Sequence, residues 1–461
     1  RYNKIEQLTS PMERGNKAEP QPGFTAKLDK ILLHRFWGNI IMLLVLLLMF
    51  QSIFWLASYP MDWIESAFAS AGAWLEAALP QTWWADLLVN GLWAGLGGIV
   101  IFVPQIAILF GIITILEDTG YMARITFLTD RLLKSVGMNG KAAMPMISGL
   151  ACAIPAVMAT RIIENRKERL IAILVTPLMS CSARLPVYII LISLVIPNET
   201  VLGFLSLQGL VMLGLYLLGF LMALIVAKVM SWLIKGGREQ LFLMELPIYR
   251  APRWKNAFQT MVEKAKIFVV DAGKIIMLIS IVLWALSKFG PGNKMDEIQQ
   301  QYDAIAASNP NGELDEEQQY HLNSLLLENS YIGRMGKAIE PVIRPLGYDW
   351  KIGIALITSF AAREAYVGTI ATLYNLGGDV DEEDGTLRQK MASATFEDGK
   401  KVYTLATGTS LLVFYVFAMQ CMSTLAIVKR ETKSWKWPII QFIYMGILAY
   451  ICALITFNIF N

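Results

Sequence analysis

The chain repeats part of its own sequence 210 residues later. The residues shared by the two copies are distinctive types rather than interchangeable aliphatics: Leu116, Tyr121, Arg124, Gly137, Lys141, Ile147 and Ala151 return at the same spacing as Leu326, Tyr331, Arg334, Gly347, Lys351, Ile357 and Ala361. A second match, 240 residues apart, aligns residues 179–186 with residues 419–426 and repeats a Met-x-Cys frame. The separation grows because the second copy carries a polar insert near residues 375–402. The fold must therefore contain two versions of one structural unit.

The composition places both copies in a membrane. Hydrophobic residues make up 55% of the chain and charged residues 17%, which is more apolar surface than a soluble interior can bury. The apolar runs reach the roughly 20 residues that a helix needs to cross hydrocarbon. We therefore expect an all-α, polytopic membrane protein. A duplicated membrane segment is typical of transporters, which bind their substrate where the copies meet.

The positions of Lys and Arg predict the topology, because short basic loops remain in the cytoplasm. A basic segment before the first span places the N-terminus in the cytoplasm. About seven full spans are expected: 37–57, 87–116, 170–196, 203–234, 267–289, 403–428 and 438–459. Two shorter pieces, 143–160 and 352–374, are interrupted by Pro or Gly and are predicted as re-entrant hairpins. With this topology the two copies are inverted relative to each other.

The same pattern divides the chain into five segments. They are a polar tether at 1–30, a first span with an outer interfacial helix at 31–86, the first repeat at 87–234, a basic cytoplasmic loop at 235–266, and the second repeat at 267–461. The second repeat also carries an acidic outer loop at 290–328 and the insert at 375–402. Residues 61–84 combine tryptophans with apolar residues at helical spacing, which favours a helix lying at the membrane surface.

Three of the four cysteines fall in interrupted apolar segments of the two copies. Cys152, Cys181 and Cys421 are soft ligands that favour Fe(II), Zn or Cu(I). Free cysteine also packs as a small buried hydrophobe, so a structural role is an equal alternative for any one of them. Met179 and Met419 offer thioether contacts or simply pack. Cys452 has no repeat partner and is expected to be structural, and no cysteine spacing indicates a disulfide framework or a zinc finger.

Charged residues inside the apolar segments are a second set of candidates, since such charges are costly and usually mark a pathway or an internal ion pair. Arg184, Arg363 and Glu364 belong to this set, and Glu117 and Asp118 lie at the inner end of a span. The alternative to a pathway role is that Arg184 pairs with Glu364 and locks the two copies together.

Several kinds of site are excluded. The two histidines, at 34 and 321, lie outside the spans, so a histidine-lined metal site inside the membrane is not expected. No Gly-Lys pair has the flanking residues of a P-loop. The basic loop is more typical of a lipid-facing or partner-docking surface than of a nucleic-acid site, and no nucleic-acid partner is expected.

Several short motifs, taken jointly, resemble the membrane domain of the bacterial ferrous iron transport protein B family. They are Phe102–Gln105, Leu116–Arg124, Cys152–Ala156 with Ala159–Arg161, Met179–Tyr188, Glu245–Arg250 and Ala362–Glu364. The likeness runs from about residue 27 to the end. The two copies look like that family's paired gate motifs, which also occur in nucleoside-transporter-like proteins.

The resemblance implies uptake of Fe(II), as substrate, across the bacterial inner membrane, with Cys152, Cys181 and Cys421 on the path. It also implies an N-terminal GTPase domain that this chain lacks, so the chain itself is not expected to be an enzyme, and GTP and Mg²⁺ would belong to that domain. The expected partners are membrane lipids, the GTPase domain and a small SH3-like cytoplasmic protein, and a homo-oligomer is left open. The alternatives are a nucleoside-type or other solute carrier, a carrier for Zn or Mn, and a membrane anchor without transport.

Overall fold

The computed structural model describes most of the chain. The described residues are 24–34, 36–80, 82–197, 199–201, 205–234, 247–291, 294–308, 316–360, 363, 365–373, 391–392, 394–396, 401–418 and 421–461. They are almost entirely helical, with one two-residue ribbon of β1 (Thr200–Val201) and β2 (Leu205–Ser206). The predicted all-α class is confirmed.

The first long helix is continuous where the sequence favours two separate helices. After α1 (Phe24–Leu32), α2 runs from Trp37 to Ala78 and passes through Pro60 without a break. A proline inside a helix removes one backbone hydrogen bond, and packing beyond it compensates. Phe68 supplies that packing: its ring lies 4.9 Å from the Trp93 ring, and its carbonyl accepts a hydrogen bond from the Trp93 indole. Residues 24–30, predicted as part of the tether, form α1.

The first repeat follows in short helices. It contains α3 (Trp83–Asp86), a π-helical turn (Leu87–Trp93), α4 (Ala94–Val100), α5 (Val103–Asp118), α6 (Tyr121–Ser135), α7 (Ala143–Ala151), α8 (Ala153–Ala159), α9 (Arg166–Val175), α10 (Leu185–Val195) and α11 (Leu207–Leu233). The predicted hairpin 143–160 is the pair α7 and α8, which pack against each other. The predicted span 170–196 is not one helix. Pro177 and Pro186 each begin a new helical turn, so the segment breaks between residues 179 and 184.

The rest of the described chain covers the predicted basic loop and the second repeat. It contains α12 (Trp254–Ile267), a π-helical turn (Phe268–Ala272), α13 (Gly273–Lys288), α14 (Lys294–Ser308), α15 (Glu316–Asn329), α16 (Tyr331–Ile343), α17 (Trp350–Ser359), α18 (Ala365–Leu373), α19 (Leu405–Phe417), α20 (Met422–Thr432) and α21 (Lys436–Phe460). Helices α14 and α15 occupy much of the predicted acidic loop, and α12, in the predicted basic loop, packs along α5. The predicted span 403–428 is divided into α19 and α20.

The backbone repeats as the sequence does. Helices α6 and α16 begin at the matched residues Tyr121 and Tyr331. The turns that follow them contain Gly137 with φ +83° and Gly347 with φ +78°, both in the left-handed region that favours glycine. A repeated glycine at one offset therefore reflects a repeated turn.

The two repeats share one hydrophobic core. Its buried side chains come from α6, α7 and α9–α11 in the first repeat and from α16–α19 and α21 in the second, and α10 packs against α19. Helices α8 and α20 pack against each other in a second cluster. Within the described residues, four stretches are long and apolar enough to cross a membrane: Trp83–Asp118, Leu207–Leu233, Leu405–Thr432 and Lys436–Phe460. The count of seven spans and the re-entry of the hairpins stay predictions.

Candidate functional site

The three candidate cysteines all lie where a helix is interrupted. Cys152 separates α7 from α8 with extended backbone (φ −156°), and Cys421 precedes α20 in a similar conformation (φ −158°). Cys181 lies in the break between α9 and α10. Interrupted helices expose backbone donors and acceptors near the middle of a membrane protein, which is where transporters of this build bind their substrates. Each of the three sequence-predicted cysteines therefore lies at an interruption of a helix.

The fold brings these three thiols together around one arginine. Cys152, Cys181 and Cys421 are close enough to interact electrostatically with one another and with Arg363. The Arg363 guanidinium donates a hydrogen bond from Nη1 to the Cys181 sulfur at 3.2 Å. Arg363 is 4% exposed and Cys181 is 8% exposed, so the contact is shielded from water. It also joins the repeats, because Arg363 lies between α17 and α18 and Cys181 lies in the first copy.

A second buried arginine lies beside this group. Arg184 is fully buried; its Nη1 donates to the Ser180 hydroxyl at 3.1 Å and its Nη2 to the Pro177 carbonyl at 3.4 Å. It is also within electrostatic range of Arg363 and Cys181. Its Nε atom has no hydrogen-bond partner among the residues that the structure describes. Glu364 is outside those residues, so the expected ion pair between Arg184 and Glu364 stays a prediction.

The other methionine and cysteine candidates do not share one environment. Met179 is buried in the shared core, 3% exposed, and Met419 falls outside the described residues. Cys452 lies within α21, partly buried against the core. Across the described part of the chain, no group of three or more His, Cys, Asp or Glu side chains is close enough together to hold a metal ion. The thiols are thus near one another without forming a preassembled, closed metal site.

Glu117 and Asp118 lie elsewhere, at the end of α5. Asp118 accepts hydrogen bonds from the Asn256 amide and the Arg253 backbone N–H, which tie α5 to the start of α12. Glu117 interacts electrostatically with Lys264. Lys264 in turn lines a narrow, mostly apolar cavity whose other walls include Pro155 of α8, three residues after Cys152.

A charged vestibule lies at the corresponding end of the second repeat. Its walls carry three acidic and three basic side chains: Glu328, Glu340, Asp349, Lys337, Arg344 and Lys351. Asp349 caps α17 by accepting from the Ile352 N–H, and burial raises the pKa of its carboxyl to about 6. Lys337 pairs with Glu328 at 2.8 Å. In the first copy, Asp130 and Lys134, which match Glu340 and Arg344 at the 210-residue shift, pair with each other.

Sequence reasoning missed two parts of this region. Ser180 and Thr424 are both fully buried: the Ser180 hydroxyl accepts from Arg184, and the Thr424 backbone N–H donates to the Cys421 carbonyl. The match of residues 179–186 with 419–426, which includes both positions, was the signal that could have pointed to them. Glu431 accepts hydrogen bonds from Arg161 and Arg169, each at 2.9 Å, and so fastens α20 to the first repeat. Nothing local in the sequence marks that pairing, because the partners lie 262 and 270 residues apart.

The chain matches two family models. The Gate model, described as nucleoside recognition, matches residues 99–195 and 269–435, which is more than half of the chain and covers both repeats. The model of the ferrous iron transport protein B C terminus matches residues 212–264. These matches define a membrane protein with a divided Gate domain.

Similar curated proteins agree with this class. The chain is 42% identical over 96% of its length to the Fe(2+) transporter FeoB of Leptospira interrogans, of which it covers 60%. It is 34% identical over 94% of its length to the Fe(2+) transporter FeoB of Campylobacter jejuni, of which it covers 65%. It is 36% identical over 94% of its length to a Fe(2+) transport protein A/Fe(2+) transporter FeoB fusion protein of Porphyromonas gingivalis, of which it covers 51%. No solved structure matches the chain.

The chain belongs to the ferrous iron transport protein B family and comprises its membrane-embedded Gate region. It spans about 60% of the length of the first of these relatives.

Proposed function

We propose that this chain moves Fe(II), as substrate, across the bacterial inner membrane, and that Cys152, Cys181 and Cys421 line the path. The observation that carries the proposal is the convergence of these three thiols, each at a helix break and from both repeats, around Arg363. Thiolates bind Fe(II) well and bind Mg²⁺ and Ca²⁺ poorly, so such a path selects against the abundant hard cations. The names of the Leptospira and Campylobacter relatives support Fe(II) as the ion.

A transport path must release its ion as well as bind it. A closed four-sulfur site would hold a transition metal tightly, whereas loosely grouped thiols offer few ligands at a time. The absence of a preassembled metal cluster among the described residues is compatible with transit. Cys181 and Cys421 would bind the ion first, and Cys152 would pass it toward the cavity lined by Lys264, with Glu117 beyond.

The orientation in the membrane is part of the proposal. The basic residues before α2 place the N-terminus in the cytoplasm, and the vestibule of the second repeat then opens on the outer side. In that case Glu328, Glu340 and Asp349 lie where cations arrive. The hairpins 143–160 and 352–374 would expose the thiols to the two sides in turn.

Other components belong to the longer protein. A GTPase domain preceding this chain would hold GTP and Mg²⁺, so that any enzymatic activity resides outside the residues present here. A small SH3-like cytoplasmic protein is the proposed partner, and the Porphyromonas gingivalis relative, named as a fusion with Fe(2+) transport protein A, supports a physical association of this kind. Self-association of the chain into a homo-oligomer is a further proposal.

The test is Fe(II) uptake into anaerobic vesicles by the protein at its full length. Cys181→Ser and Cys421→Ser should each lower uptake by at least tenfold, and Cys452→Ser, which changes a thiol within α21, should leave it unchanged. If both path variants transport as well as the parent, the thiol path is wrong. Competition by Zn²⁺ and Mn²⁺ in the same vesicles measures the selectivity.

A nucleoside-type carrier is the alternative class, and it would need aromatic rings free to stack on a base. The buried tyrosines near the repeat interface are instead packed on each other. The Tyr366 and Tyr415 rings meet edge to face at 5.2 Å, and the Tyr415 hydroxyl donates to Ser359. This packing does not favour an organic substrate.

A further inference from the structure

Arg363 is the charged side chain in direct contact with the thiol group. Its Nη1–H points at the Cys181 sulfur, and a hydrogen bond of this kind uses a sulfur lone pair. A thiol sulfur carries two lone pairs and a thiolate carries three, so this hydrogen bond takes one of the positions through which an ion could bind Cys181. The guanidinium, 3.2 Å from the sulfur, therefore competes with an ion for the space around that atom.

The positive charge of Arg363 strengthens its competition with an ion for the thiols. A guanidinium stays protonated in proteins, so Arg363 brings a permanent positive charge into range of Cys152, Cys181 and Cys421. A divalent ion at the same thiols would face this charge inside a poorly polarisable interior, where repulsion between like charges is only weakly screened. Arg184, within range of Arg363, adds a second fixed positive charge. Binding an ion with Arg363 still in place is therefore unfavourable.

The two arginines differ in how they are held. Arg184 is anchored to its own segment through Ser180 and Pro177. Arg363 instead lies in the interruption between α17 and α18 and reaches across to the other repeat. A movement of the second hairpin relative to the first repeat would withdraw Arg363 from Cys181 and leave Arg184 where it is.

We propose that Arg363 competes with the transported cation for Cys181: its guanidinium covers the sulfur and must move away for an ion to bind there. This inference rests on the proposed thiol path and deepens it, because it makes loading of the ion and contact between the repeats mutually exclusive. Arg363 thereby also disfavours weakly binding cations, since only an ion that gains enough from the thiols can displace it.

The test is a Co²⁺ titration of the purified chain in detergent under anaerobic conditions, followed by the sulfur-to-cobalt charge-transfer absorbance. Arg363→Gln should bind Co²⁺ at least tenfold more tightly than the parent. Arg363→Lys keeps the charge but loses the planar fork, so it should bind at least threefold more tightly than the parent and less tightly than Arg363→Gln. Arg334→Gln, the matched control, removes one charge from α16 and should change the affinity less than twofold.

Each outcome separates the two proposals. If Cys181→Ser abolishes the absorbance while Arg363→Gln binds as the parent does, the competitor role is wrong and the thiol path stands. If the absorbance persists in Cys152→Ser, Cys181→Ser and Cys421→Ser, the thiol path is wrong and the competitor role is lost with it. Should Arg363→Gln not fold, an Arg363→Lys affinity equal to the parent's overturns the inference.

Discussion

Arg124 donates two parallel hydrogen bonds to the carboxylate of Asp29, each 3.0 Å long, across 95 residues of sequence. The Tyr249 hydroxyl donates to the same carboxylate at 2.8 Å, and the guanidinium lies over the Tyr249 ring, 4.1 Å from its centre. Arg124 also donates to the carbonyls of Gly120 and Pro247. The fully buried guanidinium of Arg124 therefore joins helix α1, helix α6 of the first repeat and the segment before α12.

Asp29→Asn should destabilise the chain, because it leaves the buried Arg124 guanidinium without its counter-charge. Breaking a buried ion pair costs about 3 kcal/mol, and we expect somewhat less because Asn still accepts one bond. Tyr249→Phe should cost about 1 kcal/mol. The measurement is the thermal midpoint by tryptophan fluorescence in detergent. Lys30→Gln, an exposed change on the same helix, is the control, and equal midpoints for Asp29→Asn and Lys30→Gln would contradict the expectation.

The same pair predicts an acid sensitivity. Hydrogen bonding to Arg124 holds the pKa of Asp29 below its ordinary value. When the pKa of a carboxyl is lower in the folded protein than in the unfolded chain, its ionised form stabilises the fold. This contribution is complete above the unfolded-state pKa, near 4, and is lost as the pH falls through the folded-state pKa. Docking of α1 should therefore weaken only below about pH 4. Amide hydrogen exchange within residues 24–32, followed from pH 6 to pH 3, measures this weakening. In Asp29→Asn the docking of α1 should not change in this way with pH.

Asp349 predicts a pH dependence of stability with the opposite sign to that of Asp29. Burial raises its pKa to about 6, so the folded protein holds the proton more tightly than the unfolded chain, and stability falls as the pH rises from about 4 to about 6. Asn caps a helix as well as Asp does. Asp349→Asn should thus raise stability above pH 6, by up to about 3 kcal/mol, and change little below pH 4. Thermal midpoints of parent and variant at pH 4 and pH 7.5 test this, and a gain of equal size at both pH values would contradict it.

Glu431→Gln should loosen the connection between the repeats. The Glu431 side chain is only 3% exposed and accepts hydrogen bonds from both Arg161 and Arg169, so neutralising it should cost about 2 kcal/mol. Glu164→Gln is the matched control: its partner is Lys141 and its side chain is 75% exposed, so a much smaller loss of stability is expected. The measurement is the chemical-denaturation midpoint of each variant in detergent. Similar losses of stability in Glu431→Gln and Glu164→Gln would argue against a stabilising contact between the repeats at Glu431.

The repeated glycines should not tolerate a side chain. Gly347→Ala would place its Cβ 2.5 Å from the Phe457 ring and 2.8 Å from the Thr407 hydroxyl, at a positive φ. Gly137→Ala would collide with Ser231 at an equally strained φ. Each should cost about 2 kcal/mol or more. Gly446→Ala, in the middle of α21 with open space around it, should instead stabilise by about 0.5–1 kcal/mol, as a thermal midpoint will show. A rise in the midpoint for either turn glycine would overturn this reading.

The sequence was sufficient for the class, the repeat and the identity of the three cysteines, because these depend on local composition and on spacing within the chain. It placed Cys181 and Cys421 in interrupted apolar segments but still predicted 170–196 and 403–428 as full spans, which the structure divides into separate helices. Hydropathy summed over a span hides a short interruption, and Pro177 and Pro186 were the unused signals. The contacts of Asp29, Glu431 and Arg363 with residues 95 to 270 positions away were out of reach, because packing alone brings them together.

The two buried guanidiniums have a consequence for energy coupling. Arg184 and Arg363 are charges held within a membrane-embedded core, and a membrane potential exerts a force on any charge that changes its depth. Carrying one elementary charge across 100 mV is worth about 2.3 kcal/mol, and a partial excursion is worth a proportional part. A displacement of Arg363 along the membrane normal would thus make the protein responsive to voltage, and ion flux through it would vary with membrane potential beyond what the charge of the ion itself requires.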